Sequence, residues 1–143
     1  IKRTAGELVK DFERASREAR GACFVNLSNH PSAKWDDAQT NAALALAERI
    51  KDIAFPAVPP DADEKAIEAY AEECIGRVPR ETTHALVQGE FTLTLELVHR
   101  LQAREITCLA ATSTRNVEED ADGRRVSTFE FVRFRIYPEL RSA

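Results

Sequence analysis

The chain has 143 residues, a formal net charge of -4, and 43% hydrophobic against 31% charged residues. This length suits one domain with a real core, and the composition excludes a mainly disordered chain. No apolar run reaches the ~20 residues that span a bilayer, and an acidic balance argues against a duplex nucleic acid as partner.

Residues 4–20 read as an amphipathic helix, with Leu8, Val9, Phe12, Ala15 and Ala19 recurring at helical steps and Gly21 as its stop. We assign 1–21 to an N-terminal amphipathic helix or linker that packs, links or makes a dimer contact. Residues 22–143 form a Rossmann-like ligand-binding domain. Ala22–Leu27 is a short, mostly apolar strand, broken by the turn formers Ser28-Asn29-His30-Pro31-Ser32. A helical period follows over 36–51 through Ala38, Ala42, Ala45, Leu46, Arg49 and Ile50, capped by Ser32 or Asp36.

Ile53-Ala54-Phe55 reads as a second strand, ended by Pro56, Pro59 and Pro60. Asp61 or Asp63 then caps a helix over 64–77. Its adjacent Glu72 and Glu73 diverge by ~100° around the axis and read as a solvated face rather than an acid/base pair. Thr83–Gln88 is a third strand, 92–103 a helix, and Ile106–Thr112 a fourth strand. Asp122-Gly123 marks a hairpin turn between arms at 115–120 and 125–136. In the second arm the alternation places Val126, Thr128, Glu130, Val132, Phe134 and Ile136 on one side. Phe129, Phe131, Arg133 and Arg135 fall on the other.

Apolar strands alternating with amphipathic helices predict an α/β fold: a Rossmann-like, open, mainly parallel sheet with helices on both faces and a C-terminal β-hairpin. Ligands of such sheets bind outside the strand C-termini. Three strand ends carry small polar residues: Ser28, Asn29, His30 and Ser32; then Gly89, Glu90, Thr92 and Thr94; then Ser113, Thr114 and Arg115. The first two lead into helices whose free N–H groups can hold an anion, and Gly89 lets backbone approach a ligand. Hydroxyls and Arg115 suit phosphate oxygens. Each such residue is also an ordinary cap or turn former; only their convergence on one edge raises the ligand reading.

Trp35 is placed to stack on a base or to cover the sheet edge. His30 reads as a ligand contact or a plain loop histidine, and His84 and His99 as structural or exposed. Arg133 and Arg135 read as solvated, as phosphate partners or as dimer contacts. Neither a G-x-G-x-x-G nor a P-loop motif is present, and no His–carboxylate spacing suits a metal. No metal and no cofactor are expected.

Cys23, Cys74 and Cys108 are an odd set without Cys-x-x-Cys spacing, which points to a reducing cytoplasm. Cys23 and Cys108 read as buried core residues. The chain begins at Ile1 and has no Met, so we expect a trimmed protein or one domain of a longer one. No secretory leader pattern opens it.

The first loop, Asn26-Leu27-Ser28-Asn29-His30-Pro31-Ser32 with Trp35 and Gln39 following, resembles small CRISPR-associated ring nucleases. These are relatives of the CARF sensor domains, which bind cyclic oligoadenylates. Gly89–Thr94 and Ala111–Arg115 sit where such folds place their second and third ligand loops, and the resemblance covers residues 22–137.

It implies a cytoplasmic homodimer in antiviral defence that holds a cyclic oligoadenylate, or another small anionic nucleotide, across its two-fold axis. Cleavage would be metal-independent: a ribose 2′-hydroxyl attacks the neighbouring phosphate. The resemblance implies Ser28, His30 and Arg115 as catalytic residues. Asn29, Ser32, Trp35, Gly89, Glu90, Thr92, Thr94, Ser113 and Thr114 would bind the ligand. Glu90 is expected to orient a donor or to meet the adenine amino group. The alternatives are a non-catalytic nucleotide sensor, and a phosphoester- or nucleotide-binding α/β protein outside CRISPR.

Overall fold

The computed structural model describes residues 4–140, and for residues 13–20 it describes the backbone alone. Helix α1 (Ala5–Arg20) starts in a capping box: Thr4 Oγ1 accepts from the Glu7 amide and Glu7 accepts from the Thr4 amide. Leu8, Val9 and Phe12 of the expected stripe are exposed, and the side chains of Ala15 and Ala19 lie outside the described residues.

The sheet has five strands in the order β2-β1-β3-β4-β5. They are β1 (Cys23–Ser28), β2 (Arg49–Ala54), β3 (Thr82–Gln88), β4 (Thr107–Glu119) and β5 (Arg125–Ile136). β1 pairs in parallel with β2 and β3, β3 in parallel with β4, and β4 antiparallel with β5. The fold is therefore α/β with a mostly parallel sheet and a C-terminal hairpin, as the alternation predicts. The chain leaves β1 toward β2 and returns on the other side to β3. Strand order thus reverses at β1, which opens a crevice at the strand C-termini there.

All six β1 residues are buried, because β1 is covered on both faces. On one face Cys23, Val25, Leu27, Ala85, Val87 and Cys108 pack under α3 (Glu64–Gly76) and α4 (Phe91–Ala103). On the other, Phe24, Leu86 and Leu109 meet Trp35, Phe134 and the helix α2 (Asp37–Leu46). The hairpin rings fill the space beside α2: Phe24 and Phe134 lie 5.2 Å apart, Phe131 and Phe134 4.8 Å. Fully burying a ring such as that of Phe24 stabilises by about 1.5–3 kcal/mol. His84 lies flat against Phe24 in this layer, with ring planes 8° apart, a packing role. His99 and the pair Glu72 and Glu73 are exposed. Among the described residues no helix is long and apolar enough to cross a membrane.

Four expectations change. The helix over 36–51 ends at Leu46, and Arg49 and Ile50 belong to β2. Ala47 is extended, and the Glu48 amide donates to the Ala22 carbonyl, which draws the chain alongside β1. The buried face of α2 carries Gln39 and Ala43, with Ala42 partly buried against the same cluster and Ala47 just beyond, whereas Ala38, Ala45 and Leu46 are exposed. An alanine-rich helix offers small residues on every side, so periodicity selects no unique face.

The fourth strand and the first hairpin arm are one continuous β4. Finally, the register slips between Thr112 and Ser113, so Val132 has no partner on β4. This bulge reverses the alternation. Phe129 and Phe131 therefore share the face of Phe134 and Ile136, and Arg133 and Arg135 point the other way.

Candidate functional site

The C-terminal end of β1 is set by a buried asparagine. Asn26 is 1% exposed. Its Nδ2 donates to the His30 carbonyl and to Asp52 Oδ1, both at 2.9 Å. Its Oδ1 accepts from Ser28 Oγ at 2.7 Å, and Ser28 Oγ in turn accepts from the His30 amide. Asp52, on β2, also accepts from the backbone and hydroxyl of Ser32. Trp35 Nε1 donates to the same His30 carbonyl at 3.0 Å. The backbone of loop 28–32 is thus held from three sides, with Asn29 and His30 exposed on it.

β3 and β4 stop pairing through their backbones at Leu86 and Leu109. The Gln88 side chain continues the ladder: it donates to the Ala111 carbonyl and accepts from the Ala111 amide. Past that clip, β4 and β5 run on as a two-stranded ribbon beyond the end of β3. Such a ribbon is marginal alone, and Asp36 ties it down. One carboxylate oxygen caps the Gln39 amide at 2.8 Å and the other accepts from the Phe131 amide at 3.1 Å.

Three clefts line up along this edge. The largest, about 350 Å³, is bounded by His30, Lys34, Asp36, Gln39, Thr112, Ser113, Phe129 and Phe131. The next, about 320 Å³, shares His30 and Gln39 and adds Ser28, Asn29 and Gln88. The third, about 170 Å³, shares Ser28 and Asn29 and reaches Asp52 and Ala54. Together they run from β2, over β1 and β3, to the ribbon. The first two are of the size that small ligands occupy.

Of the expected residues, the fold brings Ser28, Asn29, His30 and Ser113 onto these clefts. Ser32 stands beside them, with its hydroxyl on Asp52. Thr114 falls on the opposite face of the ribbon from Ser113, paired with Glu130. Arg115 lies two residues beyond Ser113, and its guanidinium donates to Ser127 Oγ. Trp35 is 7% exposed and edge-on to both Phe24 and Phe134. Its ring belongs to the core and lines none of the three clefts.

The second loop turns out differently. Glu90 caps α4 with its own carboxylate, accepting from the Thr92 hydroxyl at 2.6 Å and from the amides of Thr92 and Leu93. The Thr92 hydroxyl first, then the two amides, hold this carboxyl below its ordinary 4.5. The helix end expected to receive an anion thus already holds one, and α2 is likewise capped by Asp36. The Gly89 expectation also changes. A Cβ there would sit 2.4 Å from the buried Phe55 ring, so a side chain and not a ligand accounts for the glycine. Thr94 lies on the buried face of α4, and its Oγ1 meets no partner among the described residues.

Lys34, Asp36, Gln39, Gln88, Thr112, Phe129 and Phe131 on the clefts, and Asn26 and Asp52 beneath them, are not among the ligand residues expected from sequence, although Asn26 and Gln39 stand in the stretch that carries the resemblance. A signal existed for Asn26: an amide inside an apolar strand must find partners when buried. The lining supplies one ammonium, one imidazole, hydroxyls, amides, two aromatic rings, and the carboxylates of Asp36 and Asp52, which accept from protein donors. That set suits an anionic ligand with a flat, hydrogen-bonding part. Among the described residues no group of three or more His, Cys, Asp or Glu is placed to hold a metal ion.

A family model described as the uncharacterized protein MJ1673 family matches residues 22–135, and the chain belongs to that family. No curated protein and no solved structure matches the chain.

Proposed function

We propose that this member of the MJ1673 family binds a nucleotide phosphodiester along the strand-end clefts, specifically a cyclic oligoadenylate, and cleaves it. One observation carries the reading. His30, Lys34, Asp36, Gln39, Thr112, Ser113 and two phenylalanine rings, from four separate segments, meet in one cleft between the loop after β1 and the β4–β5 ribbon, beside the cleft at the ends of β1 and β3 where strand order reverses. Lys34 and the imidazole suit a phosphate, the amides and hydroxyls suit ribose and base edges, and the rings suit the base faces.

In the proposed reaction a ribose 2′-oxygen attacks the adjacent phosphorus and the 5′-oxygen leaves. The products are a 2′,3′-cyclic phosphate and a 5′-hydroxyl. His30 takes the 2′ proton or supplies the leaving group's proton, and Lys34 balances charge on the phosphoryl oxygens. The loop network fixes the His30 backbone, which holds the point from which the imidazole reaches the cleft. Two copies of the chain would share one ring, since a two-fold ligand calls for two equal sites. The cytoplasm, a reducing compartment, agrees with three buried free cysteines.

A second reading, binding without cleavage, has its own support. The Ser28 hydroxyl donates within the loop, to Asn26 Oδ1 at 2.7 Å or to the His30 carbonyl at 3.3 Å, and Arg115 lies on the ribbon rather than on the three clefts. Of the three residues implied as catalytic, only His30 offers a titratable side chain to the cleft.

The deciding experiment is incubation of the purified chain with cyclic tri-, tetra- and hexa-adenylate in EDTA, followed by chromatography of products and of bound ligand. Linear products ending in a 2′,3′-cyclic phosphate are expected, and His30→Ala should slow their formation by about 100-fold or more. Intact rings that co-elute with protein would select the sensor reading. Intact rings that do not bind would end both.

A further inference from the structure

The geometry points to Phe129 as the platform on which the ligand's nucleobase stacks, with the attached phosphate at His30 and Lys34 across the same cleft. This rests on the nucleotide reading above and goes beyond it, because it assigns the base and phosphate ends of the ligand to opposite walls. Phe129 is 68% exposed, whereas Phe134 on the same face of β5 is buried and Phe131 is packed against it. A large ring held on the wall of a polar cleft leaves apolar area in water that a flat partner would cover.

The placement is built. The bulge at Val132 turns Phe129 and Phe131 onto the cleft face. The Phe131 amide is fixed to Asp36 Oδ2, so Phe129 stands two residues from an anchored point. Its ladder partner is Arg115, whose guanidinium is held by Ser127 Oγ. A ring and a guanidinium side by side on one ribbon face form a surface that favours an electron-rich base. Across the cleft, Lys34 and His30 supply the groups that suit phosphate. Asp36 also borders the cleft, but both its oxygens face backbone amides.

The test is titration calorimetry of the whole chain with cyclic tetra-adenylate and with ribose 5-phosphate, for wild type, Phe129→Ala and Phe129→Trp. Phe129→Ala should weaken the adenylate ligand by about 5- to 150-fold and leave ribose 5-phosphate unchanged. Phe129→Trp should keep adenylate affinity, and its added emission, read against a wild type whose only tryptophan is Trp35, should change on binding. Equal adenylate affinity in wild type and Phe129→Ala would overturn the stacking assignment and leave the nucleotide reading intact. A wild type that binds neither adenylate nor ribose 5-phosphate would overturn both. Equal weakening of both probes by Phe129→Ala would show a general loss of the cleft and overturn the assignment of the base to this wall.

Discussion

Asn26 carries a primary amide into a layer where every neighbour in β1 is buried. Its hydrogen bonds compensate the burial and connect β2 to the loop after β1. Asn26→Leu keeps the volume but leaves Asp52, the Ser28 hydroxyl and the His30 carbonyl each short of a partner. We expect a loss of about 2–4 kcal/mol, read as a lower urea midpoint with an unchanged slope. Asn26→Asp should cost more, since it sets a second carboxylate beside Asp52. A midpoint unmoved by either change would show that the loop is held by other means. The residue type was visible in the sequence, but its partner lies 26 positions away on a neighbouring strand, and no local pattern links the two.

At the scale of elements, both helices that begin at the site edge are capped by carboxylates. For α4 this has a pH consequence. Glu90 is held below 4.5, first by the Thr92 hydroxyl and then by the Leu93 and Thr92 amides. The unfolded chain therefore binds the proton more readily than the folded one. The cap's contribution is complete above the ordinary value and is lost as pH falls through the lower, folded one. Thermal melts of wild type and Glu90→Gln should differ at neutral pH and converge as the pH falls below the ordinary glutamate value. A gap that stays constant through that fall would exclude a titrating cap.

The same scale explains the ribbon. The Asp-Gly turn is a local signal, and the turn forms there, with Gly123 at φ 78° and Asp120 Oδ1 accepting from the Asp122 and Arg124 amides. The bulge at Val132 is not local. It arises where β5 must match β4 past the end of β3, and it exchanges which residues of β5 face the cleft.

For the whole molecule, two apolar layers enclose the sheet, and all three cysteines lie within them. Burial pushes the Cys108 thiol up to about 12, with the Glu139 charge adding to it, and burial also raises Cys23 and Cys74. None presents a thiolate at neutral pH. A disulfide reagent such as dithionitrobenzoate should therefore react with no thiol of the native protein and with all three in urea. The rate should follow global unfolding rather than any local opening at the clefts. A thiol that reacts quickly in the native protein would locate a breach in one layer.

What the sequence by itself determined is the class and the edge. Alternating apolar strands and amphipathic helices fix an α/β sheet, and polar turns after the strands mark where it opens. Those signals are local, written in periods of two and about 3.6 residues. Tertiary structure alone decided which edge residues meet. It gave the α4 terminus to Glu90, Gly89 to the Phe55 ring and Trp35 to the core. It brought Lys34, Gln39 and Phe129 to His30. The reason is that a cleft is made by pairing register, a bulge and contacts between residues as far as 95 positions apart, and none of these leaves a period in the chain.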